Sequence, residues 1–100
     1  MKNIAHLLQG GDFMFVILVY DVEERRVAKV LKKCREYLTW VQNSVFEGDI
    51  TQANLKKLQM ELSRIIKKEA DSVIIYKFNS LKYSSREVMG LDKNPQNVII

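Results

Sequence analysis

One carboxylate closes the most apolar stretch of this chain. Residues 14–20 are all apolar without helical periodicity, and Asp21 follows them directly. Such a run predicts a strand covered on both faces, which would hold Asp21 on rigid scaffold at the rim of a sheet. Arg25 and Arg26 follow within one helical turn, and acidic and basic groups so close together suit a divalent cation acting on a phosphate backbone. Asp is also a preferred N-cap, so capping of the next helix is the alternative role for Asp21.

The counts of the other residue types leave carboxylates as the candidate catalytic groups. With one His and one Cys, a zinc site and a Ser-His-Asp triad are excluded for practical purposes. Mg²⁺ typically takes one or two protein carboxylates and keeps several waters, so Asp21 would supply one ligand and a twofold axis near it would supply a pair. A metal held there would activate water and neutralise charge on a phosphodiester. Four aromatic residues are candidates for base stacking, although aromatics at helix and strand positions are more often core: Tyr37, Trp40, Phe46 and Tyr83.

Size and charge bound the class of protein. One hundred residues make one domain with a modest core that gains from oligomerisation, and the formal charge of +4 favours polyanionic partners. Cys34 is the only cysteine, so no internal disulfide can form; on the apolar face of a predicted helix it is expected in the core. No apolar stretch approaches the ~20 residues that span a bilayer. We therefore expect a soluble, cytoplasmic protein with no membrane partner.

Periodicity predicts the order of elements in a single domain over residues 14–100, preceded by an N-terminal extension or artificial leader over 1–13. Apolar residues at helical spacing indicate the helices, and Asn43-Ser44 are the only turn-prone residues within a long stretch rich in β-formers. Thr51 is expected to cap the second helix. The predicted elements are a strand (14–20), a helix (23–37), two strands divided at 43–44, a helix from 51 to about 68, a strand (73–78), a polar loop (79–85) and a short strand (86–91).

This order predicts an α+β fold, the ferredoxin-like βαββαβ unit with an extra C-terminal strand. Two helices cover one face of the antiparallel sheet, so the apolar residues on the other face need a second cover. A twofold homodimer packed through the sheets would provide it. The apolar tail at residues 95–100 is expected to complete the partner's sheet edge, with folding back on its own sheet as the alternative.

Three segments of this pattern resemble a known family. The strand 15–21 ending in Tyr20-Asp21, the helix segment 26–31 and the segment 42–48 with its Ser-Val-Phe-Glu sequence are similar to the small CRISPR-associated endoribonuclease. This is the second of the two proteins that most CRISPR adaptation systems share. Thr39-Trp40 stand where the family often has an arginine.

The resemblance implies both an activity and a set of site residues. It implies a ferredoxin-like homodimer with metal-dependent endonuclease activity on single-stranded RNA or double-stranded DNA, and a partnership with the CRISPR integrase in spacer acquisition. Asp21 takes the position of the catalytic, magnesium-binding aspartate shared across the dimer, with Mn²⁺ as another possible ion. The positions expected to contact nucleic acid are Tyr20, Arg25, Arg26, Ser44 and Phe46.

Two other functions stay open from the sequence. The first is a non-catalytic dimer that bridges DNA and scaffolds the integrase, in which Asp21 is structural. The second is a small ferredoxin-like regulatory or toxin-type protein with no CRISPR role.

Overall fold

The structure is a computed structural model that describes residues 13–80 and 83–93. Seven elements follow one another in these ranges: β1 (Phe13–Asp21), α1 (Glu24–Arg35), β2 (Thr39–Gln42), β3 (Val45–Thr51), α2 (Gln52–Ser63), β4 (Ser72–Ser80) and β5 (Tyr83–Gly90). The sheet has the strand order β2-β3-β1-β4-β5, with every neighbouring pair antiparallel. The predicted ferredoxin-like α+β fold is confirmed, because β2-β3-β1-β4 is the strand order of the split βαβ unit.

Strict alternation along β1 decides which side chains reach the core. Met14, Val16, Leu18 and Tyr20 are buried under the helices, whereas the residues between them are only partly buried. Within the single chain the strand is covered completely on one face and partly on the other, and the cover of the second face by another copy stays a prediction. One face of the sheet packs on α1 and α2, and the opposite face has no helix over it in the part of the chain described here.

The helix-free face of the sheet is itself apolar. Ile17 lies opposite Tyr76 of β4, and Val19 lies opposite Ile74. Phe15 pairs with Phe78, and their ring centroids are 6.3 Å apart. Ile74 and Tyr76 are already buried in the single chain, and the other four residues are partly buried. Covering the apolar area that remains exposed would be favourable at roughly 25 cal/mol per Å². We call the six residues Phe15, Ile17, Val19, Ile74, Tyr76 and Phe78 the open sheet face.

Local signals set the boundaries around β2, β3 and α2. The division at 43–44 is confirmed, because Asn43 adopts φ +42°, a conformation that Asn tolerates better than most residues, and so turns the chain without glycine. The predicted cap is also confirmed, since the Thr51 hydroxyl accepts a hydrogen bond from the Asn54 amide at 3.1 Å. Cys34 is fully buried in the core, and burial raises the pKa of its thiol to about 12.

Two boundaries differ from prediction. Helix α2 ends at Ser63 rather than near residue 68, because the chain turns there. Beyond the turn, Ile66 packs into the core, and the Lys67 amide donates a hydrogen bond to the buried Asp71 carboxylate instead of to a helical carbonyl. The polar loop predicted at 79–85 is largely strand, since β4 extends to Ser80 and β5 begins at Tyr83. Pairing between neighbouring strands outweighs the polar composition of this segment.

Several predictions concern residues beyond the described ranges. The expected extension lies outside them except for Phe13, which is the first residue of β1. The expected exchange of residues 95–100 lies outside them as well. Among the described residues no helix is long and apolar enough to cross a membrane.

Candidate metal and nucleic-acid site

Asp21 lies at the carboxyl end of β1, at the rim of the sheet. Its side chain is 72% exposed, and its nearest described cation is Lys93, whose Nζ lies 3.5 Å from Oδ2 and 3.4 Å from the Asp21 carbonyl oxygen. It does not cap the next helix, because the N-cap position of α1 is Glu23. The capping alternative is therefore wrong.

A second carboxylate, Asp71, accepts the hydrogen bonds at the start of α1. This side chain has no exposed surface, and it lies just before β4. Its Oδ1 accepts hydrogen bonds from the Glu23 amide and from Arg26 Nη2, both at 3.0 Å. Its Oδ2 accepts from Arg26 Nε at 2.6 Å and from the Lys67 amide at 2.9 Å. Four donors, led by Arg26, hold the pKa of the Asp71 carboxyl well below its usual range despite burial.

The two adjacent arginines have different environments. Arg26 turns inward to Asp71 and also binds Glu23 Oε1 at 2.9 Å, leaving its side chain 10% exposed. Arg25 points outward with its side chain 78% exposed and only a 3.4 Å ion pair to Glu23. An open depression lined by Glu23, Glu24 and Arg25 adjoins this helix end. Arg25 is therefore the exposed arginine of the two, whereas Arg26 is held in a largely buried ion pair that leaves little of its side chain for the predicted contact with nucleic acid.

Two of the predicted contact residues form the packing beneath the site. Phe46 has no exposed surface, and its ring centroid lies 6.2 Å from that of Tyr20. Burial raises the pKa of Tyr20, and its hydroxyl lies 3.5 Å from the Asn43 carbonyl oxygen. Ser44 is half-buried, and its carbonyl accepts from the Tyr20 amide at 3.0 Å. The structure thus gives Phe46 a core role in place of its predicted contact with nucleic acid.

The donor set around Asp21 limits how a metal would be held. Within the described ranges there is no cluster of three or more His, Cys, Asp or Glu side chains that could hold an ion. One exposed carboxylate at a strand end fits Mg²⁺ as a single protein ligand, because Mg²⁺ keeps most of its waters. The described part of one chain therefore does not supply a site of three or more such ligands.

No local pattern in the sequence indicates the role of Asp71. Asp71 and Arg26 are 45 residues apart, and each is ordinary in its local context. The pairing arises only because β4 lies beside β1, which places the residue before β4 next to the start of α1.

Fold and site define a small ferredoxin-like protein with an exposed acid at the end of its central strand and a basic first helix. Residues 14–86 match the family of CRISPR associated protein Cas2, and the chain belongs to that family.

Two proteins named CRISPR-associated endoribonuclease Cas2 align with this chain over most of their length. The CRISPR-associated endoribonuclease Cas2 of Dictyoglomus turgidum is 49% identical over 87 residues, which cover 87% of this chain and all of the relative. The protein of the same name from Methanocaldococcus jannaschii is 48% identical over the whole of this chain and 87% of its own length.

Solved structures agree with this assignment. A crystal structure of Cas2 superposes with a TM-score of 0.66 at 49% identity, covering 88% of this chain and 99% of the other. Streptococcus pyogenes Cas2 at pH 6.5 gives a TM-score of 0.55 at 31% identity, covering 83% and 92%.

Proposed function

We propose that this protein is a metal-dependent endonuclease of CRISPR adaptation, cutting phosphodiesters of single-stranded RNA or double-stranded DNA as a homodimer. The observation that carries the proposal is the exposed Asp21 carboxylate on the end of a rigid central strand, in a chain whose relatives are named endoribonucleases. A carboxylate fixed by the scaffold loses little freedom on binding a cation, which favours a site there.

A second copy of the chain would complete the site. The open sheet face offers an apolar surface through which two copies would pack, and a twofold arrangement is the commonest for such pairs. If the axis passes near the end of β1, the two Asp21 carboxylates would hold one Mg²⁺ or Mn²⁺ between them. When bound, that ion would supply charge neutralisation and an activated water.

The surrounding residues would bind and orient the substrate. Arg25 would neutralise a phosphate next to Asp21, because its guanidinium is exposed and held loosely by Glu23. Lys93 would leave Asp21 when a metal binds, since a divalent cation is the stronger partner for the carboxylate. Tyr20 and Ser44 would fix the end of β1 through their backbone hydrogen bond.

The alternative is a non-catalytic dimer that bridges DNA and scaffolds the CRISPR integrase. Its support is the small number of acidic ligands, since the described part of one chain gathers no metal cluster around Asp21. In this case the exposed basic residues of α1 would bind duplex DNA, and Asp21 would keep its ion pair with Lys93.

One substitution separates the two functions. Asp21→Asn keeps the shape of the side chain but removes its charge, so we expect metal-dependent cleavage to be lost while folding is retained. Cleavage of labelled RNA and DNA is measured with Mg²⁺, with Mn²⁺ and with chelator, and circular dichroism monitors the fold. Glu69→Gln, an equivalent change at an exposed acid outside the candidate site, is the matched control and should cut normally. Equal metal-dependent cleavage by wild type and Asp21→Asn would exclude the assignment.

A further inference from the structure

The only tryptophan of the chain is an exposed residue on an edge strand. Trp40 lies in β2 and remains 45% exposed, although its cross-strand partner Phe46 is fully buried. This differs from the core position that aromatic residues in strands usually take. An indole left at the surface of a small domain loses the free energy of burial, which points to a use for its ring.

The ring of Trp40 is held in place rather than free to rotate. Its Nε1 donates a 2.8 Å hydrogen bond to the Asn43 carbonyl, so the polar edge of the indole is already satisfied. The Arg35 guanidinium carbon lies 5.0 Å from the ring centroid, within cation–π range. Because Arg35 lies over one face of the indole, what Trp40 offers to a ligand is the opposite face of a preorganised ring that has a positive charge close to it.

Asn43 connects this ring to the candidate metal site. The same Asn43 carbonyl lies 3.5 Å from the Tyr20 hydroxyl, and Tyr20 directly precedes Asp21. Through the register of β2, β3 and β1, Trp40 stands level with Leu18. Asp21 lies three residues further along β1, roughly 10 Å, and β1 is two strands across from β2, which adds roughly 10 Å sideways. The two positions are therefore roughly 14 Å apart in the sheet. Ring and carboxylate are thus within reach of one short oligonucleotide.

The charge around the ring selects the kind of ligand. Arg25, Lys29 and Lys32 are exposed and recur three or four residues apart, which places them on one side of α1. Arg35, also exposed, continues this row to the indole. Cations that follow a path to an aromatic ring match a phosphate backbone with a base to stack.

We propose that Trp40, with Arg35 beside it, is a stacking site for one unpaired base of a single-stranded nucleic acid whose backbone extends along α1 towards Asp21. This inference rests on the proposed nuclease function for the identity of the ligand, and it adds a binding residue to it. A duplex keeps its bases stacked on each other, so it would offer this ring no free base face.

Intrinsic fluorescence tests the proposal directly, because Trp40 is the only emitter of its kind. The probe is a single-stranded RNA of about 12 nucleotides, within the range of known single-strand sites. It is compared with an abasic oligonucleotide of equal phosphate number and with a duplex of the same sequence. All titrations contain chelator, so that no strand is cut. We expect strong quenching by the single strand, and little by the abasic strand or the duplex.

Variants separate stacking from general attraction, and their affinities are measured by the anisotropy of a labelled oligonucleotide, because the variants at Trp40 contain no tryptophan. Trp40→Ala should bind the single strand roughly tenfold more weakly, in line with the measured worth of one stacked base, and bind the abasic strand as wild type does. Trp40→Phe keeps an aromatic ring and should recover most of the affinity. The control is Val41→Ala, an equally exposed apolar position on the same strand, which should bind normally. Circular dichroism checks that each variant is folded.

Each contrary result overturns the stacking site. The proposal fails if the abasic strand or the duplex quenches wild type as strongly as the single strand does. It also fails if wild type shows no detectable binding to the single strand, or if Trp40→Ala binds it with unchanged affinity. If both Trp40→Ala and Val41→Ala bind RNA normally but no longer bind the CRISPR integrase, the β2 edge is a protein-docking surface instead. If the single strand quenches wild type in these titrations, but wild type cuts neither RNA nor DNA in the separate assay with Mg²⁺ and Mn²⁺, the nuclease proposal fails and the stacking site stands.

Discussion

Arg26 and Asp71 form a buried ion pair, with Nε 2.6 Å from Oδ2 and a second hydrogen bond from Nη2 to Oδ1 at 3.0 Å. Asp71 also binds the Glu23 amide, so the pair joins the start of α1 to the segment before β4. Asp21 lies two residues before Glu23 and pairs with Ser72, the residue after Asp71. The exposed acid at the rim and the buried acid are therefore close to each other in the fold.

Removing the charge of Asp71 should destabilise the protein strongly. Asp71→Asn leaves the Arg26 guanidinium buried without its carboxylate, and breaking one side of a buried pair typically costs roughly 3–5 kcal/mol. Urea denaturation would measure the free energy of unfolding. Asp21→Asn is the matched control, since it makes the same chemical change at an exposed site and should cost under about 1 kcal/mol. Similar losses in the two variants would contradict a structural role for the pair.

The stability of the protein should fall in acid, and Asp71 should account for part of the fall. Its pKa is lowered in the folded state, so the stability that it contributes is present above the unfolded pKa of about 3.9 and is lost as the pH falls below it. Glu87, whose pKa Lys77 lowers, acts in the same direction. Unfolding free energies measured from pH 7 to pH 2 should decline less steeply in Asp71→Asn than in wild type. Parallel curves would show that Asp71 does not contribute.

Gly90 should tolerate no side chain. It adopts φ +85°, and a Cβ there would collide with the carbonyl oxygen of Asp71, which accepts a 2.9 Å hydrogen bond from the Leu91 amide. Gly90→Ala should therefore cost more than about 1 kcal/mol from the backbone conformation alone. Hydrogen exchange should show faster exchange at Leu91, whereas Ser85→Ala on the same strand should leave Leu91 protected. Unchanged stability and protection in Gly90→Ala would contradict the close approach.

The open sheet face should hold the proposed homodimer together. Ile17→Lys places a charge at its centre, where Glu47 lies opposite within the same chain and can pair with it, so the monomer should stay folded. Burying that charge between two copies is costly, so the variant should sediment as a monomer under conditions where wild type is a dimer. Met60→Lys, the same kind of change on the exposed side of α2, should remain dimeric. A dimeric Ile17→Lys, or a monomeric wild type, would rule out this interface.

Much of the fold is visible in the sequence because its signals are local. Helical spacing of apolar residues located α1, Thr51 located the start of α2, and Asn43 located the turn between β2 and β3. Asp21 was recognised because the end of an apolar run marks the end of a buried strand. Each of these features depends on residues within a few positions of one another, where backbone and side-chain preferences act directly.

The tertiary structure decided which side chains face inward. From the sequence, the adjacent Arg25 and Arg26 are equally good candidates for a phosphate contact. In the structure it is Arg26 that forms an ion pair with Asp71, 45 residues away. Trp40 and Phe46 are strand partners, yet one is exposed and the other is buried, because β2 is the edge of the sheet and β3 is not. The sequence by itself thus determined the order of the elements and the strand-end acid. Burial, ion pairing and exposure at the rim were set only when distant segments packed together, because these properties belong to contacts between elements and not to any one of them.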